Sequence, residues 1–209
     1  MDVKTAIESG DVSALRLLLR EDPVRANELI HWGDNCRIQT HPLHYVSDML
    51  FNGTLKSGLE LPLIDALIES GADVNFQKPR GETALIGAAS LGAEDAGLRL
   101  LERGAKPGTR GIFGETALHW AAIMGTDRLV TRLIEKGAPV DEKDAKYNST
   151  PLGWALFGWR NPPADAKPTH HHEVVEILVG AGARVEPEWL TDEKVCADPR
   201  MFAALGGRL

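Results

Sequence analysis

Apolar residues along this chain fall in paired blocks at helical spacing, and each pair is followed by a short stretch dense in Gly, Asp, Lys and Asn. The clearest second members of these pairs are Leu98, Leu100 and Leu101, then Leu129, Val130, Leu133 and Ile134, then Val174, Val175, Ile177 and Leu178. The residues between them are mostly charged, so each block predicts a helix with one buried stripe and one solvated face. The first members are shorter and rich in Ala and Leu: GETALIGAASLG (81–92), GETALHWAAIMG (114–125) and NSTPLGWALFGW (148–159), with a weaker copy QTHPLHYVSDML (39–50). Thr83, Thr116 and Thr150 stand where an N-cap belongs, and Pro151 suits a first helical turn. Leu85, Leu118 and Leu152 are predicted core, while Ala88–Ala89 and Ala121–Ala122 are small enough for stacked helices to approach.

These pairs repeat on a ruler. Gly-Ala closes each second helix at Gly71, Gly104, Gly137 and Gly182; Gly71 to Gly104 is 33 residues, Gly104 to Gly137 is 33, and Gly137 to Gly182 is 45. Thr83 to Thr116 is 33 and Thr116 to Thr150 is 34. A period near 33 predicts a stack of supersecondary units that bury a core only against one another.

The segments resemble ankyrin repeats, whose signature is T-P-L-H-x-A, a glycine, a second helix and Gly-Ala; the copy from Phe113 to Asp144 is close to the full pattern. The resemblance implies an all-α solenoid of helix-turn-helix units joined by β-hairpin fingers. It divides 1–209 into repeats at about 1–27, 28–75, 76–108, 109–141 and 142–186, with capping helices over 187–209. It places fingers near Asp73–Gly81, Lys106–Gly114 and Asp141–Ser149, and it gives His44 and His119 a structural role in the turn. At the ends, AIESGDVSALRLLLREDP (6–23) predicts a helix pair, and Asp198–Pro199 predicts the start of a last short helix that Gly206 terminates. Caps at both ends are what a finished stack requires.

Three departures break the period. His41 to Gly71 is 30 residues and Thr150 to Gly182 is 32, against 21 from Thr83 to Gly104, so repeats 2 and 5 swell between their helices, around 50–62 and 159–172. Pro162, Pro163 and Pro168 forbid a regular helix through the second insertion, and Trp159 is expected to pin it to the body. The finger before repeat 2 is also long, and it carries Ile30, Trp32 and Cys36 beside Gly33, Asp34 and Asn35. Its exposed-looking Trp32 makes this finger the departure with the strongest functional expectation.

By the resemblance, the residue after the signature histidine faces the inner, concave surface. Those residues are Tyr45, Gly87, Trp120 and Trp154, with Ile123 and Met124 one turn beyond Trp120. Aromatic side chains in a partly desolvated patch suit protein recognition. The expected function is therefore non-enzymatic binding of another protein through Tyr45, Trp120, Trp154, Ile123, Met124 and Trp32.

Composition narrows this further. The net charge is -7 across 209 residues, which argues against nucleic acid or an anionic membrane as the partner. Two cysteines far apart form no disulfide framework and suggest a reducing cytoplasm. A monomer without cofactor is expected. The sequence shows no phosphate loop, nucleophile elbow or zinc-protease helix. The alternative is a small-molecule or metal-binding protein that uses the aromatic strip or the cluster His170-His171-His172, with Asp165 nearby. Three consecutive side chains at a helix start point apart, however, whereas metal ligands converge.

Overall fold

The threonine signals do what their positions dictate. In a computed structural model that describes residues 1–33, 35, 37–78, 81–162 and 169–207, the Thr83 hydroxyl accepts from the Ile86 N–H and the Thr150 hydroxyl from the Gly153 N–H. The expectations for Asp34, Cys36, Pro163, Asp165 and Pro168 lie outside the described residues. At Thr116 the reciprocal arrangement forms: its N–H donates to Nδ1 of His119 at 3.1 Å, which satisfies a helix-start donor that would otherwise be orphaned.

The chain condenses into two compact units, residues 1–106 and 107–209. The first contains α1 (Val3–Ser9), α2 (Val12–Glu21), the antiparallel strands β1 (Ile30–Trp32) and β2 (Ile38–Thr40), then α3 (Pro42–Phe51), α4 (Glu60–Glu69), α5 (Ala84–Ser90) and α6 (Glu94–Glu102). First helices stack on first helices, α1 on α3 on α5, and second on second, α2 on α4 on α6. The second unit contains α7 (Ala117–Met124), α8 (Asp127–Glu135), α9 (Pro151–Arg160), α10 (His171–Gly180), α11 (Glu193–Ala197) and α12 (Pro199–Ala204). Here α7 packs on α9 and α8 on α10, with α12 laid on α10.

Each core lies between its two helix layers. Leu85, Leu118 and Leu152 are buried with the alanine pairs 88–89 and 121–122 beside them, as the pattern predicts. Burying one such leucine contributes about 1.5–3 kcal/mol. Gly71, Gly104, Gly137 and Gly182 sit at φ between 86° and 95°, the left-handed conformation that ends a helix where a Cβ would be strained.

The fingers differ from one another. Among the described residues a strand ladder forms only in the long finger, where Ile30 pairs Thr40 and Trp32 pairs Ile38. The others are turns closed by few backbone bonds, such as Lys78 N–H to Glu82 O at 2.9 Å and Asp144 N–H to Ser149 O at 3.1 Å. They lack the length for more. A side-chain ladder ties fingers to the next Gly-Ala turn instead. Asn27 donates to Gly71 O at 2.8 Å and accepts from Asp73 N at 2.7 Å. Asn75 donates to Gly104 O at 3.2 Å and accepts from Lys106 N at 2.8 Å, and Asp141 accepts from Arg184 N at 2.9 Å. Gly108 occupies the corresponding position between Asn75 and Asp141 and has no side chain to offer.

Both insertions brace terminal elements. In repeat 2 the helix runs on to Phe51, and the loop after it buries Leu55 at the α1–α2 turn, where Leu55 and Leu59 crowd Gly10. In repeat 5 the extra turn of α9 carries Trp159 and Arg160. The Trp159 ring lies 6.3 Å from that of His172, and Arg160 pairs with Asp192, the N-cap of α11, at 3.0 Å. Asp198 caps α12 through the N–H groups of Arg200 and Met201 and takes Nε2 of His172 at 2.8 Å. That last contact is the leading reason its carboxyl is held below the usual aspartate range.

Candidate partner-binding surface

The two tryptophans of the second unit are oriented by acids in the fingers. Asp144 is buried, and it accepts from the backbone of Lys146, Tyr147 and Ser149 and from Nε1 of Trp154 at 3.1 Å. Burial works against its charge, but these donors outweigh burial and hold the carboxyl below its ordinary range. Glu115, also buried, does the same one repeat earlier. It accepts from Phe113 N at 2.8 Å and from Nε1 of Trp120 at 3.5 Å. Each carboxylate thus couples a finger tip to the indole on the neighbouring first helix.

The outcome for the expected contact residues is mixed. Trp154 is 7% exposed, wedged edge-on among Trp120 at 5.0 Å, His119 at 5.3 Å and Tyr147 at 6.1 Å. Its indole N–H is spent on Asp144, so it supports the surface and offers a partner little area. Trp120, Ile123 and Met124 are half-buried and remain reachable. In the first unit Tyr45 is buried, with its hydroxyl donating to Glu8 at 2.6 Å. Trp32 is half-buried because its ring leans edge-on against Tyr45 at 5.6 Å. The long finger therefore folds back over α3, and Trp32 and Tyr45 wall a cavity of about 250 Å³ together with Lys4, Glu8, Met49 and Asn52.

Other residues complete the second unit's surface. Phe113 is 40% exposed and Tyr147 62% exposed, and the Lys146 ammonium sits 4.5 Å from one ring centroid and 4.9 Å from the other. Such a cation between two aromatic faces is attracted by both. Ile112 is exposed beside Phe113, and Phe157 is exposed one turn beyond Trp154 on α9. Trp120, Trp154, Tyr147, Lys146 and Phe113 are linked contact by contact. The signal for the finger residues was present in the sequence: large apolar side chains in turns otherwise made of Gly, Asp, Lys and Asn.

The histidine cluster separates. His170 faces Asp127 at 3.9 Å, Nε2 of His171 bonds Ile123 O at 2.9 Å, and His172 bonds Asp198. Three consecutive imidazoles serve three different partners, as their helical positions require, and no group of three metal-type side chains converges among the described residues. His119 is a structural residue: fully buried, with Nδ1 accepting from Thr116 N and Nε2 at 3.2 Å from Ser149 O. Burial lowers its pKa to about 4. Among the described residues no helix is long and apolar enough to cross a membrane.

Comparison with known proteins agrees with the repeat geometry. A family model described as ankyrin repeats (3 copies) matches residues 54–144 and, overlapping them, 88–188. No curated protein matches the chain.

Proposed function

Because the chain belongs to the ankyrin-repeat family, whose repeats generally serve as protein–protein interaction modules, we infer that it works by binding another protein, with the second unit's aromatic and cationic surface as the contact. The observation that carries this reading is the exposure of Phe113 and Tyr147 around Lys146, backed by Trp120 and Trp154. Large apolar side chains grouped on a surface mark interaction sites more often than scattered ones do. Trp120, Ile123 and Met124 on α7 and Phe157 on α9 extend the surface along the first helices.

The geometry suits recognition without chemistry. The finger acids fix both indoles before any partner arrives, which reduces the ordering cost of association. Trp120 and Tyr147 are the side chains suited to act as anchors, since a few aromatic contacts usually dominate an interface. Repeats of this family are typically non-enzymatic, and the reading assigns the protein no reaction and no cofactor.

The test is affinity capture from native cell extract, with wild type beside a Phe113→Ala/Tyr147→Ala variant. Both side chains are exposed, so the variant keeps the fold. The expected result is loss of specifically captured proteins at unchanged thermal stability; an unchanged set of captured proteins refutes the assignment.

A further inference from the structure

We propose that the second unit's surface selects an acidic segment of its partner protein, in which an aspartate or glutamate stands beside an apolar residue, and that Lys146 receives the carboxylate. The proposal rests on that surface being the partner contact and names the chemistry the contact takes. Lys146 is exposed, and its ammonium lies 4.5 Å from the Phe113 ring centroid and 4.9 Å from that of Tyr147. Among the described residues it joins no ion pair. The acids of the same two fingers already have partners. Asp144 and Glu115 are buried, and each accepts a finger N–H and an indole N–H. Glu142 is paired with Arg110, and Asp141 is tied to Arg184 N in the next Gly-Ala turn. Lys143, three residues before Lys146, is also exposed and joins no ion pair among the described residues. The charge left unpaired at these finger tips is therefore positive, and it sits on an apolar rim of Ile112, Phe113 and Tyr147.

An ordinary surface ion pair contributes little, in part because long side chains must be ordered to make it. Here the two rings attract the Lys146 ammonium and hold it in place before a guest arrives, which lowers that cost. The same rings offer the apolar area that a neighbouring aromatic or aliphatic residue of the segment would cover.

Other guests fit less well. A basic segment would meet Lys143 and Lys146 and find Asp144 and Glu115 enclosed. A phosphorylated segment calls for a guanidinium fork or a cluster of arginines, and the arginine of these fingers, Arg110, is engaged by Glu142. The chain's net charge is -7, so the attraction belongs to this patch and not to the molecule as a whole. Screening at physiological ionic strength limits exposed charges to a range of about 8 Å, which lets a local cation act against the overall charge.

The experiment is selection of a displayed random-peptide library on the full chain, in parallel with Lys146→Met and with Phe113→Ala/Tyr147→Ala. Lys146→Met keeps an apolar stem and the backbone bond to Asp144 while removing the charge. Wild type should enrich peptides that share an aspartate or glutamate next to an aromatic or aliphatic residue. The tightest of these, resynthesised, should bind Lys146→Met about fivefold more weakly. Replacing its acid by the matching amide should cost the same, and the two changes together should cost no more than either alone. The Phe113→Ala/Tyr147→Ala variant should lose the peptide. The proposal is overturned, and the assignment of the surface kept, if the enriched peptides depend on Phe113 and Tyr147 but share no acid or bind Lys146→Met unchanged. The proposal and the assignment fall together if wild type enriches no peptide over the double variant, or if the enriched peptides bind that variant as they bind wild type.

Discussion

Acid should weaken the second unit through His119. Its Nδ1 accepts from Thr116 N, so protonating that nitrogen would set one N–H against another inside a fully buried site. The folded pKa is about 4, against about 6.5 for an unfolded histidine. Between those values the unfolded chain binds the proton and the folded one does not. The stabilisation is therefore complete above about pH 6.5 and is lost as pH falls towards about 4. Linkage over that interval gives about 2 kcal/mol of lost stability between pH 7 and pH 5 from this one residue. The assay is urea unfolding followed by tryptophan fluorescence at several pH values, since Trp154 packs against the His119 ring. A His119→Phe variant supplies the control. It should be less stable near neutrality, because it forfeits the bonds to Thr116 and Ser149. It should also lose less on acidification, so that the gap to wild type narrows by about 2 kcal/mol at pH 5. Titration of every other group cancels in that difference. A gap that stays constant with pH refutes the reasoning.

Two further outcomes follow from the fold. Asp198→Ala removes two capping bonds and the His172 partner at once, so it should cost about 1–3 kcal/mol in thermal unfolding and speed amide exchange in α12; unchanged exchange there contradicts the role given to the cap. Gly108→Asn should restore half of the missing rung, an amide donated to Gly137 O, because Pro139 stands where the other rungs have their N–H donor; with only ordinary contact to Pro139 in its way it should raise stability by about 0.5–1 kcal/mol, and a loss instead would show that the carbonyl is not in reach.

The architecture was legible because repeats constrain sequence locally. A threonine cap, an alanine pair and a left-handed glycine each state a backbone conformation, and the period multiplies that statement. What was illegible is set by contacts distant in sequence. Trp154 reads as an exposed aromatic until Asp144, ten residues earlier, takes its N–H and three rings close around it. Trp32 looks free because nothing in its own finger says that the hairpin folds onto Tyr45. The insertions look like binding loops by length alone. Their use as braces depends on where Leu55 and Arg160 find partners, at Gly10 and Asp192.

The central claim, that the second unit's finger-and-first-helix surface is where a partner binds, is tested most directly by site-specific photocrosslinking. A photoreactive phenylalanine analogue is placed at Tyr147, and in a separate protein at Arg132 on the second-helix layer, and each is irradiated in native extract. Discrete crosslinked proteins are expected from position 147, competed away by excess unlabelled wild type and missing from position 132. Crosslinks from position 132 with none from position 147 would contradict it.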